Sequence, residues 1–129
     1  MFAPESTALI CIDMQRDFCE AGDDTYLGRL GLSVANTRAP IQPLQLLFSE
    51  LRARRYTIIH TREGHRPSMG DCPELKLWRS RTSGCELGSK GAAATCCSRA
   101  LVRGQHSHDF IAELQPQDCE DVVDGWYQE

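Results

Sequence analysis

An apolar run from Thr7 to Ile12 stops abruptly at Asp13, and the segment Met14-Gln-Arg-Asp-Phe18 follows at once. A buried strand that delivers a carboxylate to its own carboxyl end has this pattern. In open parallel sheets that rim is where ligands bind, so Asp13 is placed for chemistry; a carboxylate capping the next turn would look the same. A second candidate is Thr61-Arg-Glu-Gly-His-Arg-Pro67. There Glu63 and His65 could form an acid/base pair or ligate a metal, or belong to a solvated loop held by Gly64 and Pro67. Further on, Arg79 and Arg81 offer two guanidinium groups that can clamp a carboxylate or a carbonyl, although such a run also occurs as plain surface.

The seven cysteines raise the question of a nucleophile. A reactive thiol needs a lowered pKa, and nothing in the sequence supplies one clearly. Cys11 lies two residues before Asp13 on the same strand face, where a small core residue is the better reading. Cys19 and Cys72 lie in polar loops without an activating helix. Cys85, Cys96, Cys97, His106, His108 and Cys119 contain no C-x2-C pair and no common zinc spacing, so no metal is expected. No cofactor is expected either, because Gly28 to Gly31 does not join a strand to a helix as a phosphate loop must.

These residues need elements to hold them. Residues 20–32 read as a loop. Pro40 and Pro43 suit a first helical turn, and Ile41, Leu44, Leu47 and Leu51 follow at helical spacing, which predicts an amphipathic helix over 38–55. Tyr56-Thr-Ile-Ile-His60 has strand composition. Strand, helix and strand make a right-handed βαβ unit, so Asp13 and the loop expected from Thr61 onward share one crevice. Residues 64–106 hold few apolar side chains and read as a long irregular excursion. Ala92 to Ser98 looks like a flexible insertion, residues 109–114 like a short helix, and residues 121–124 like a third strand.

At 129 residues with a net charge of −4 and a pI near 5.5, the chain reads as a single domain, residues 1–129, with a modest core. The acidic balance and scattered basic residues argue against nucleic acid as a partner. No apolar stretch is long enough for a membrane span or signal peptide. An odd number of cysteines without a disulfide framework fits a reducing compartment, so a cytoplasmic protein is expected.

Taken together, Ala8-Leu-Ile-Cys-Ile-Asp-Met-Gln-Arg-Asp-Phe18, Thr61-Arg-Glu-Gly-His-Arg-Pro67, Asp71-Cys-Pro73 with Lys76 and Arg79, and Val102-Arg-Gly-Gln105 leading to His108-Asp-Phe-Ile111 resemble the isochorismatase-like cysteine hydrolases. The loop motifs look most like the branch that includes biuret hydrolase and ureidoacrylate amidohydrolase. The resemblance implies a Rossmann-like three-layer α/β/α sandwich with a parallel sheet, and hydrolysis of a C–N bond in a small amide, ureide or carbamoyl compound. In that family a cysteine thiolate attacks the carbonyl, an aspartate carries the proton from thiol to leaving amine, and a lysine assists. Asp13 matches the aspartate. Phe18, Arg62, Glu63, His65, Arg79 and Arg81 become candidates for the substrate pocket.

The departures set further expectations. The family's lysine closely follows the third strand, whereas here Gly125-Trp-Tyr-Gln-Glu129 supplies none, and Lys76 and Lys90 lie in other segments. No cysteine occupies the matching nucleophile position. The resemblance therefore implies a fold truncated after about three strands, a triad reduced to Asp13, and negligible activity of these residues alone. It also implies an open sheet edge through which the chain would form a homo-oligomer or bind a homologue. Metal-binding relatives carry a D-W-H loop where this chain has Glu63-Gly-His65, so again no metal is expected.

Overall fold

The computed structural model describes residues 3–92 and 97–125. Three strands, β1 (Ala8–Ile12), β2 (Thr57–Glu63) and β3 (Asp121–Gly125), form a parallel sheet in the order β1-β2-β3. Helices α1 (Arg16–Cys19), α2 (Tyr26–Arg29) and α3 (Ala35–Arg38) are single turns, followed by α4 (Ile41–Ala53) and α5 (Glu74–Ser83). This is the expected α/β architecture. Among the described residues, two of the three expected layers are present, because α4 packs on one face of the sheet and the other face stays open. No helix among the described residues is long and apolar enough to cross a membrane.

Register decides which side chains share a face. Cys11 pairs with His60, which pairs with Val122, while Ile10 pairs with Ile59 and Ile12 with Thr61. Alternation therefore sends Leu9, Cys11, Ile58 and His60 under α4, and Ala8, Ile10, Ile12, Ile59 and Thr61 to the opposite side. The core joins Cys11, Ile41, Phe48, Ile58, Ile111 and Leu114. Its helical contribution is Ile41, Leu44, Phe48 and Leu51, which corrects the expected stripe: Leu47 is 41% exposed and Phe48 takes its place. Helix α4 closes with Tyr56 N–H donating to Leu51 O and Arg55 N–H to Arg52 O. Arg55 holds φ +60° at the position where glycine is usual.

Glu120 fastens the third strand. Its carboxylate accepts from Arg52 at 2.7 and 2.9 Å and lies 3.0 Å from His60 Nε2, and the His60 ring sits edge-on to both Phe48 and Phe110.

Two expectations about the middle of the chain need correction. Strand β2 runs on to Glu63, so Thr61, Arg62 and Glu63 are strand residues rather than loop residues, held by pairing of Arg62 with Asp124 and Glu63 with Gly125. The excursion over 64–106 is interrupted by the ten-residue helix α5 and carries its own small core of Cys72, Leu87 and Leu101, against which Phe18, Tyr26 and Leu77 pack. Residues 93–96, most of the expected flexible insertion, lie outside the described residues, as do residues 126–129. Ser98, at the end of that insertion, is buried and hydrogen-bonded to Ser107 at 2.7 Å. Of the short helix expected over 109–114, only a tight turn at Ala112–Leu114 forms.

Candidate functional site

Asp13 ends β1 in a conformation few non-glycine residues adopt. Its φ is +53°, a left-handed backbone that costs an L-residue about 1–2 kcal/mol, least for Asp and Asn. The surroundings enforce it: Asp13 N–H donates to Thr61 O at 3.1 Å, extending the β1–β2 ladder by one step. Thr61 Oγ1 donates to Asp13 Oδ1 at 2.6 Å. One carboxylate oxygen is thereby oriented by a strand residue, and Oδ2 has no partner among the described residues. Strain held at a strand end by neighbouring elements is a common mark of functional positions.

Gln15 ties the rim together. Fully buried, it donates to Glu63 O at 3.0 Å and His108 O at 2.7 Å, and accepts from Glu63 N–H at 2.7 Å. Every polar group of the amide except one lone pair is thus engaged, which fixes the end of β2 against the start of α1.

Glu63 lies two residues beyond Thr61 and on the same strand face. Its carboxylate pairs with Lys76 Nζ from α5. Around this pair opens a cleft of about 350 Å³, lined by Phe18, Tyr26, Glu63, Lys76, Arg79, Ser80, Ser83, Leu87 and Leu101. Small-molecule sites of this size have mostly apolar walls and a few polar groups. The structure thus brings Phe18, Glu63 and Arg79 together beside the Asp13 rim. Tyr26, Lys76 and Ser83 were not among the sequence candidates for the pocket. A polar stripe at positions 76, 79, 80 and 83, spaced as one helix face, is the signal that would have found most of the α5 side of the cleft.

The other candidates stand elsewhere. Arg62 faces the α4 side, bound bidentately to Asp124 at 2.7 and 3.2 Å and stacked 5.1 Å over the Phe110 ring. His65 is buried, with Nδ1 3.7 Å from Asp71, and burial followed by the charge of Lys76 lowers its pKa below the usual histidine value. Arg81 is exposed and pairs with Glu86 at 2.8 Å, away from the cleft. Cys11 is a core thiol, which burial above all pushes up to about 11. No cysteine among the described residues lines the cleft. Nor do three His, Cys, Asp or Glu side chains converge there as metal ligands would; Cys96, one of the residues weighed for zinc, lies outside the described residues.

Comparison with known proteins finds a match to the Isochorismatase domain over residues 7–126. Ureidoacrylate amidohydrolase RutB of Serratia proteamaculans is 30% identical over 127 residues, an alignment covering 90% of this chain and 46% of that protein. Its counterpart from Pantoea ananatis is 29% identical, with 90% and 45% covered. Among solved structures, a cysteine hydrolase from Pseudomonas syringae pv. phaseolicola superposes with a TM-score of 0.69 at 26% identity, covering 96% of this chain and 48% of that one. N-carbamoylsarcosine amidase from Thermoplasma acidophilum shares the fold, with a TM-score of 0.54 at 17% identity and coverage of 92% and 50%. The chain spans about half the length of the relatives it matches.

Proposed function

We propose that this chain, which belongs to the isochorismatase domain family, supplies the aspartate-bearing half of a hydrolase that opens a C–N bond in a small amide, ureide or carbamoyl compound. The observation that carries this reading is Asp13: a carboxylate at the carboxyl end of a parallel strand, strained to φ +53° and aimed by the Thr61 hydroxyl. A thiol is mostly protonated at neutral pH, so a cysteine hydrolase needs such a base to take the proton and return it to the leaving amine. Asp13 Oδ2 is the oxygen free to do so. Thr61 acts as a positioning residue, and the cleft beside it holds the substrate.

The nucleophile and the assisting lysine are not supplied by the positions that match the family's motifs here, and the described cysteines lie outside the cleft. The 129 residues alone therefore hydrolyse their substrate at a negligible rate. Purified chain incubated with biuret or with ureidoacrylate is expected to release ammonia no faster than buffer. Release above background that Asp13→Asn abolishes would overturn the inactivity and uphold the role of Asp13; release that survives Asp13→Asn would overturn both.

A second reading rests on the open side of the sheet. Ile10, Ile12 and Val123 are 56%, 67% and 50% exposed, and β1 pairs only with β2 among the described residues. Contiguous apolar surface beside an unpaired strand edge is a docking surface. On this reading the chain associates with a second copy or a full-length homologue. Light scattering coupled to size-exclusion chromatography tests it: a stable monomer at high micromolar concentration is the result that would discard it.

A further inference from the structure

Resting on the reading of the cleft as the substrate site, we infer that the cleft between β2 and α5 selects substrates carrying a carboxylate, and that Arg79 is the residue that recognises it. The cleft is lined by one carboxylate and two cations, Glu63, Lys76 and Arg79. Glu63 and Lys76 pair with each other, so their charges cancel. Arg79 is different. Arg79 lines the cleft and is exposed, and its guanidinium makes no hydrogen bond or ion pair among the described residues. The pocket is left with one uncommitted positive charge, on the side chain best shaped to grip a carboxylate through two parallel N–H donors.

The surroundings favour the same ligand class. Phe18, Leu87 and Leu101 give apolar walls, while the hydroxyls of Tyr26 and Ser83 offer polar contacts. Glu63 lies two strand residues past the threonine that orients Asp13, about 6.6 Å along β2. On this reading a short ureido acid binds with its carboxylate at Arg79. Arg81, two residues along the same helix, serves as an internal contrast because Glu86 already holds it.

The test is a titration of the 129-residue chain followed by NMR shifts of the Tyr26, Lys76 and Ser83 amides. The probes are 3-ureidopropionate and its neutral carboxamide, which differ only in the anionic group. The carboxylate is expected to bind about tenfold more tightly than the carboxamide. R79Q is expected to abolish that preference, whereas R81Q keeps it. Equal binding of the two probes, an unchanged preference in R79Q, or no saturable binding of the carboxylate would overturn the assignment. Since Arg79 is exposed, R79Q should fold, which the dispersion of its spectrum verifies. Binding is read without turnover, so this outcome is decided independently of hydrolysis.

Discussion

The two faces of one small sheet are made of nearly the same residues and lead different lives. Under α4, Leu9, Cys11, Ile58 and His60 meet Phe48 in a closed core. On the other side, Ile10, Ile12 and Val123 stand in the open. A strand meant to face water on one side alternates apolar with polar, but Ala8-Leu-Ile-Cys-Ile12 is apolar throughout, the composition of a strand buried on both faces. Asp13 and Thr61 lie at the rim of the open side. Burying one isoleucine side chain contributes about 1.5–3 kcal/mol, so whatever covers this face would both stabilise the sheet and enclose the proposed base.

The comparison can be broken first at its strongest point. Phe48→Ala on the closed side should lower the unfolding free energy by about 3–5 kcal/mol in urea titrations; a loss below about 1 kcal/mol would mean that α4 does not define the core. Next in size is the Glu120 latch. Burial pushes this carboxyl up, but Arg52, the Gln117 N–H and His60 together outweigh burial and hold it at about 2. Its folded value lies below its unfolded value near 4.5, so the stabilisation is present above that pH and is lost as pH falls toward about 2. The contribution is on the order of 3 kcal/mol.

The buried histidines act in a higher window. Burial lowers the pKa of His65 and His108 below 6.5, so the unfolded chain binds protons first and stability begins to fall as pH drops through about 6.5. A pH series of denaturation midpoints should show both windows, and Glu120→Gln should flatten only the lower one. Gly64→Ala comes third: a Cβ there would lie 2.3 Å from the buried His108 ring, so overpacking should cost about 1–3 kcal/mol by thermal or urea unfolding. Smallest is Ile12→Ser on the open side, expected within about 0.5 kcal/mol for a dilute chain. If that loss grows with protein concentration, the face is covered by a second copy.

Much of this was legible because period and composition agreed. Strand β1, helix α4 and the carboxylate at Asp13 follow from apolar runs and three-to-four spacing. Phe48 was missed because Leu46, Leu47 and Phe48 are consecutive apolar residues, and only the partner elements decide which of them faces inward. The end of β2 was hidden by Thr61-Arg-Glu63, polar residues that remain strand because β3, some sixty positions later, pairs with them. Helix α5 escaped because the side it turns to the cleft is polar, and hydrophobic periodicity is blind to it. Arg62 read as a pocket residue until Asp124 and Phe110 claimed it, contacts that no local window contains.

The Gln15 amide carries a consequence for how the chain assembles. Its donors are satisfied by the end of β2 and by His108, 48 and 93 positions away. Until residues 106–111 arrive, the second donor faces water, so their docking adds the net gain of one hydrogen bond, about 0.5–1.5 kcal/mol, to the pairing of β1 with β2. Strand pairing and the docking of that distant turn are therefore coupled through one side chain, which joins three stretches of sequence at the rim that presents Asp13.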